Sequence, residues 1–167
     1  MTNETKFIIG AFAFTLLVIV GLAFFISFKE KKVSQIPTNT VLGMESTPGN
    51  YDLGNVPING GVVTKEYEVK NTSGKGVQLL KIATSCMCTT ASVRIGEKET
   101  RFFSMEMTGD ANPFLDLKLK NGDSAKVSVK FDPAAHGPAG VGAFDRIVWL
   151  YFDTGVKELT FKGVVVK

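Results

Sequence analysis

Residues 7–28, FIIGAFAFTLLVIVGLAFFISF, run without one charged side chain, and that stretch decides how much chain remains for a folded domain. At about 1.5 Å of rise per residue a helix over it reaches roughly 33 Å, enough to cross a hydrocarbon layer of about 30 Å. Gly10, Gly21, Thr15 and Ser27 are tolerated there, because a helix satisfies its own backbone polar groups in lipid. A cleaved signal peptide fits less well: its apolar core usually spans about 7–15 residues and ends at a small-x-small site. No cysteine lies near the end of the run, which excludes a lipoprotein anchor. The expectation is a transmembrane helix over 7–28 after a short tail, 1–6, with the lipid bilayer as its partner. Lys6 and the α-amino group precede the span and Lys29, Lys31 and Lys32 follow it, a weak lean toward a cytoplasmic C-terminal part.

Residues 29–50 are rich in Ser, Thr, Pro, Asn and Gly and read as a flexible linker. That leaves 51–167, a length at which a β-sandwich closes its own core. Within it the apolar period is two. Ala125 to Phe131 sets Val127, Val129 and Phe131 against Lys126, Ser128 and Lys130, and Val62 to Val69 alternates in the same way. Val77 to Ile82, Ile147 to Phe152 and Leu159 to Val166 add further strands. Asn71–Gly76, Asn121-Gly122-Asp123 and Asp153-Thr154-Gly155 are turn clusters between them. No segment after residue 50 sustains a helical period, so the fold expected is all-β: an antiparallel immunoglobulin-like sandwich of about seven to eight strands. Tyr67, Phe131, Trp149, Tyr151 and Phe161 lie on strand patterns and are assigned mostly to the core.

A formal charge of +3 with scattered lysines gives no basic stripe, which makes nucleic acid an unsuitable partner. There is no Gly-rich phosphate loop, no His-Glu-x-x-His and no Gly-x-Ser-x-Gly elbow. Acid pairs such as Asp110 with Asp116, or Asp145 with Asp153, fall in turns and strand ends. An enzyme is not expected.

The soluble part resembles the bacterial family called domain of unknown function 1573. Tyr51-Asp-Leu-Gly-Asn-Val56 is similar to its opening strand, and Val69-Lys-Asn71 to a strand end before a Gly-containing turn. Leu79 to Thr89, LLKIATSCMCT, carries its Ser-Cys-x-Cys-Thr stretch. Lys120 to Asp132 and Leu159 to Val164 are similar to its later strands, with Asn121 where proline is usual. The resemblance implies an immunoglobulin-like sandwich related to Hydin-like domains, and a domain usually exported, so an extracytoplasmic one. It implies no biochemical activity.

Cys86 and Cys88 are the only cysteines. On an extended strand both would project from one face, too far apart for an unstrained bond, so joining them requires a kink and a small ring. Such a bond is easily reduced, as a redox site requires. Two thiolates on one face also suit a soft ion, Cu(I) or Zn, with His136 as third ligand and Met105 or Met107 assisting. Alternatively both cysteines pack as small apolar residues and His136 is an ordinary loop residue. The leading functional expectation is a non-enzymatic, membrane-anchored binding or scaffolding module without a cofactor, its protein partner unspecified. The loops Pro133 to Gly142 and Met107 to Pro113 are its candidate contact surfaces. The alternative is a membrane-tethered soft-metal protein, or a thiol-redox site, at Cys86 and Cys88.

Overall fold

Alternation of buried and exposed side chains builds two facing sheets. The computed structural model describes residue 12 and residues 15–21, 38–107 and 111–167. The strands are β1 (Met44–Thr47), β2 (Asn50–Pro57), β3 (Val63–Asn71), β4 (Val77–Thr84) and β5 (Thr89–Ile95). They continue with β6 (Lys98–Glu99), β7 (Leu117–Leu119), β8 (Ser124–Phe131), β9 (Gly142–Phe152) and β10 (Gly155–Val166). One sheet runs β1-β3-β8-β5-β6 and the other β2-β10-β9-β4-β7. Every pairing between these strands is antiparallel except β2 with β10.

The expected period holds where one strand face is solvated. In β8, Ala125, Val127, Val129 and Phe131 are buried, and Lys126 and Lys130 between them are exposed. Facing them, Val148, Leu150, Leu159 and Phe161 close the core from β9 and β10. Phe131, Phe144 and Phe161 meet at ring-centroid distances of 4.4, 5.6 and 6.1 Å and fill one end of the sandwich. Trp149 and Tyr151 depart from the core assignment: they lie on the outer face of β9 and are half-buried, and the Trp149 indole donates to Glu158 Oε1 at 2.9 Å.

The folded domain begins before residue 51. Part of the stretch read as linker is strand β1, and Val41 and Met44 are buried in the core. Thr40 bridges Val156, and the Val41 amide donates to the Val156 carbonyl at 3.0 Å. Among the described residues ten strands replace the seven to eight expected. The additional ones are short edge pieces, β1, β6 and β7, which carry too few residues to show a period.

By internal contacts the chain divides into two units, Met1–Gln35 and Ile36–Lys167. In the first, residue 12 and residues 15–21 are helical and exposed. Most of the span expected over 7–28 lies outside the described residues, as does part of the linker. Among the described residues no helix is long and apolar enough to cross a membrane, so the anchor rests on the sequence alone.

Candidate functional site

The Cys-Met-Cys stretch sits where the chain leaves one sheet for the other. After Thr84, the last residue of β4, residues 85–88 turn over the end of the sandwich and β5 starts at Thr89. The backbone is therefore not extended at the two cysteines. The Thr89 amide donates to the Cys86 carbonyl at 3.1 Å, a tight turn of i to i+3 type. Buried Thr84 holds it from below: its hydroxyl has the Cys86 and Thr89 carbonyls in reach at 2.9 and 3.0 Å. Ser85 fastens the entry, exchanging bonds with the backbone of Ile147 through its amide and its hydroxyl. This is the kink that joining the sulfurs demands, and Cys86 and Cys88 are disulfide-bonded, with Cα atoms 5.2 Å apart.

Two side chains and a backbone amide converge on the sulfurs. His136 lies in the loop after β8, which is tied to the turn: the Asp132 amide donates to the Cys88 carbonyl at 2.9 Å. Asp132 Oδ1 in turn accepts the Ala134 amide at 2.9 Å, which shapes the loop and delivers His136 Nε2 to 3.2 Å from Cys86 Sγ. A Cβ on Gly140 would stand 3.2 Å from the His136 Cβ, so the bare glycine leaves the imidazole its place. On the other side Arg146 donates its Nε hydrogen to Cys88 Sγ at 3.3 Å. Its Nη1 is anchored on the Asp145 carbonyl at 2.8 Å. The Cys88 amide also points at Cys86 Sγ, at 3.1 Å.

The ligating atoms of Cys86, Cys88 and His136 all lie within 4.8 Å of one another. Both cysteines are buried, at 8% and 3% exposure, whereas His136 is exposed. Access to the sulfurs is therefore from the histidine side. Met105 and Met107 are exposed on the neighbouring segment, which touches this region through Ser104: its hydroxyl donates to the Thr89 carbonyl at 3.2 Å. Arg146 was not legible as part of the group. The one available signal is its parity: it shares the inward face of β9 with Phe144 and Val148, where a charge needs a partner.

A second feature is the crossing from β6 to β7. The Ala91 and Phe103 backbones exchange hydrogen bonds at 2.8 Å, and buried Phe103 anchors the near end. The Asn112 side chain donates to the carbonyls of Ile82 and Ser104 at 2.9 and 2.8 Å, and the Leu115 amide to the Leu80 carbonyl at 2.7 Å. Glu106 pairs with Lys81 at 2.5 Å. Tyr151 lies close enough that burial first, then the Glu106 and Glu158 charges, raise its phenol above the ordinary value. Between these fixings Met105, Met107 and Phe114 face solvent, at 37%, 59% and 55% exposure.

The family model described as "Protein of unknown function (DUF1573)" matches residues 44–111. That stretch holds the Ser-Cys-x-Cys-Thr turn but not the later strands that also resemble the family. No curated protein matches the chain in sequence. Among solved structures, a protein of unknown function from Porphyromonas gingivalis W83 is similar at a TM-score of 0.52 and 14% identity. The match covers 82% of this chain and 51% of that one, so the chain spans about half of that protein's length. The ASH/PapD-like domain 7 of human CEP192 is similar at a TM-score of 0.40 and 11% identity, over 83% of this chain and 96% of that domain. A stretch of the Vibrio cholerae VesB protease reaches 0.40 at 16% identity, over 75% of this chain and 32% of that one. The first likeness concerns the fold alone, a sandwich of two five-stranded sheets.

Proposed function

We propose that this chain is a membrane-anchored, non-enzymatic binding module, its sandwich on the extracytoplasmic side, docking a protein partner on the β6–β7 crossing. One observation carries the reading: the crossing is fixed at Phe103, Glu106, Asn112 and Leu115, yet it turns Met105, Met107 and Phe114 to solvent. A loop held by a rigid scaffold is where binding residues concentrate, and unbranched methionines adapt to a partner's shape. The uncharged run 7–28 supports the anchor. The bonded cysteines support the extracytoplasmic side, since disulfides persist in oxidising compartments.

The test places a photo-crosslinking side chain at Met107 or Phe114 in the full chain in cells, with Glu68, exposed on β3, as control. The expected result is an adduct of one defined mass from 107 and 114, absent from 68 and lost when Phe114→Asp is added to the Met107 form. Equal adducts from all three positions, or none, overturn the docking surface. Protease added outside cells whose outer barrier has been opened should digest the sandwich; protection overturns its placement.

A further inference from the structure

We infer that Cys86, Cys88 and His136 form a trigonal binding site for a soft monovalent ion, Cu(I), which the Cys86–Cys88 disulfide closes and a dithiol opens. The donor set comes first. Two thiolates and an imidazole are soft to borderline ligands, the set that selects Cu(I) when only three are present. Zinc in a closed site takes four, and among the described residues no further histidine, cysteine or carboxylate joins this group.

Geometry comes second. With sulfur about 2.3 Å and nitrogen about 2.0 Å from one ion and 120° between them, a sulfur and the nitrogen stand about 3.7 Å apart and the two sulfurs about 4.0 Å. The sulfur–nitrogen separation falls between the 3.2 Å from Cys86 Sγ to His136 Nε2 and the 4.8 Å that bounds the group. The histidine nitrogen needs only about half an ångström of adjustment, whereas the two sulfurs, once their bond is open, must part by about 2 Å to reach that spacing. Nε2 is the ring nitrogen that faces the sulfur, and when it ligates an ion Nδ1 carries the ring proton.

The surroundings come third. Cu(I) with two thiolates carries one net negative charge, and the Arg146 guanidinium already donates to Cys88 Sγ. The Cys88 amide donates to Cys86 Sγ. Each sulfur therefore has its own donor in place. Burial of both cysteines keeps water from the ion, and exposed His136 forms the entrance.

Opening the site balances as ordinary thiol–disulfide exchange. A dithiol passes two electrons and two protons to the Cys86–Cys88 bond and closes into its own disulfide. The two cysteine thiols then lose their protons as Cu(I) binds.

The test uses the full chain in detergent, reduced with a dithiol, separated from it without oxygen, and titrated with Cu(I) against a chromophoric copper chelator. One Cu(I) per chain is expected, with X-ray absorption showing two sulfur neighbours and one nitrogen. The unreduced chain, its disulfide verified by mass, should bind none. Cys86→Ser should abolish binding. His136→Gln, a change at an exposed loop position, should keep the fold, lose the nitrogen neighbour and weaken binding by at least about tenfold. Gly140→Ala, which displaces the ring without touching a ligand, should weaken binding in the same direction. Binding that persists in the disulfide form, or in Cys86→Ser, overturns the site. A reduced chain that exchanges with dithiols but takes up no copper overturns it in favour of thiol chemistry alone. Preference for Zn(II) over Cu(I) overturns the metal assignment. Loss of the β6–β7 adduct described above leaves this test untouched, since the two readings use different residues.

Discussion

Tyr67 donates its phenol hydrogen to the Thr160 carbonyl at 2.7 Å, so a β3 side chain of one sheet is fastened to the β10 backbone of the other. The ring is 1% exposed and meets Tyr51 edge-on at 4.9 Å. Tyr67→Phe keeps the ring and leaves the carbonyl without its donor, which costs about 1–2 kcal/mol. The urea midpoint should fall while the slope is unchanged.

The same phenol makes the fold sensitive to alkali. Burial first, then the Tyr51 charge, raise its pKa well above the ordinary value near 10. The native state thus holds this proton more tightly than the unfolded chain does. Its contribution is complete below about pH 10 and is lost as the pH climbs from there toward the native pKa. Urea midpoints between pH 8 and pH 11 should fall at the alkaline end, and less steeply in Tyr67→Phe. Equal slopes would show that this tyrosine is not the group responsible.

Asn71 is fully buried at the end of β3, and its amide group is fully engaged. Nδ2 donates to the Lys75 and Leu119 carbonyls at 2.8 and 3.1 Å, and Oδ1 accepts from the Ser73 amide and hydroxyl at 3.0 and 2.7 Å. Asn71→Leu removes one side chain and orphans groups on three segments, so about 3 kcal/mol of stability should be lost. Denaturant unfolding measures it, and a loss below about 1 kcal/mol would mean that water replaces the amide.

What the sequence revealed follows which interactions are local. The alternation of Ala125 to Phe131 was readable because one face of β8 packs and the other is solvated. Residues 44–47 were not, since four residues carry no period and their strand exists only through pairing with 68–71. Trp149 and Tyr151 look like core by type, yet alternate with Val148, Leu150 and Phe152, which take the inward face of β9. Cys86, Cys88 and His136 were readable as a set of donors. Their meeting, and Arg146 beside them, depended on a turn fixed by Thr84 and a loop tied through Asp132.

Gly155 opens β10 at a φ of +146°, and a Cβ there would stand 2.5 Å from the Asn39 carbonyl oxygen. Both facts oppose a side chain, because backbone rather than a movable side-chain tip occupies the space. Gly155→Ala should detach residues 39–41 from Val156, so that amide exchange at Val41 and Val156 quickens and proteases cut near residue 40. Gly49→Ala, with nothing within 4 Å, should leave exchange and cleavage unchanged. Quickening in both variants would place the cause elsewhere than this contact.

Thr84 decides whether the two cysteines stay in a turn. Its buried hydroxyl can donate to the Cys86 or the Thr89 carbonyl, and Thr84→Val removes that donor at nearly constant volume. Two buried carbonyls then compete for fewer donors, since the Cys86 carbonyl keeps only the Thr89 amide. The cost should be about 1–2 kcal/mol in denaturant unfolding. The turn can then relax toward the extended path that a strand would take, in which the sulfurs lie farther apart. After reduction, the Thr84→Val pair should reoxidise several-fold more slowly than the wild type and react faster with a thiol-alkylating reagent. Unchanged rates at reduced stability would show that the turn is held by Ser85 and the Asp132–Cys88 bond without the threonine.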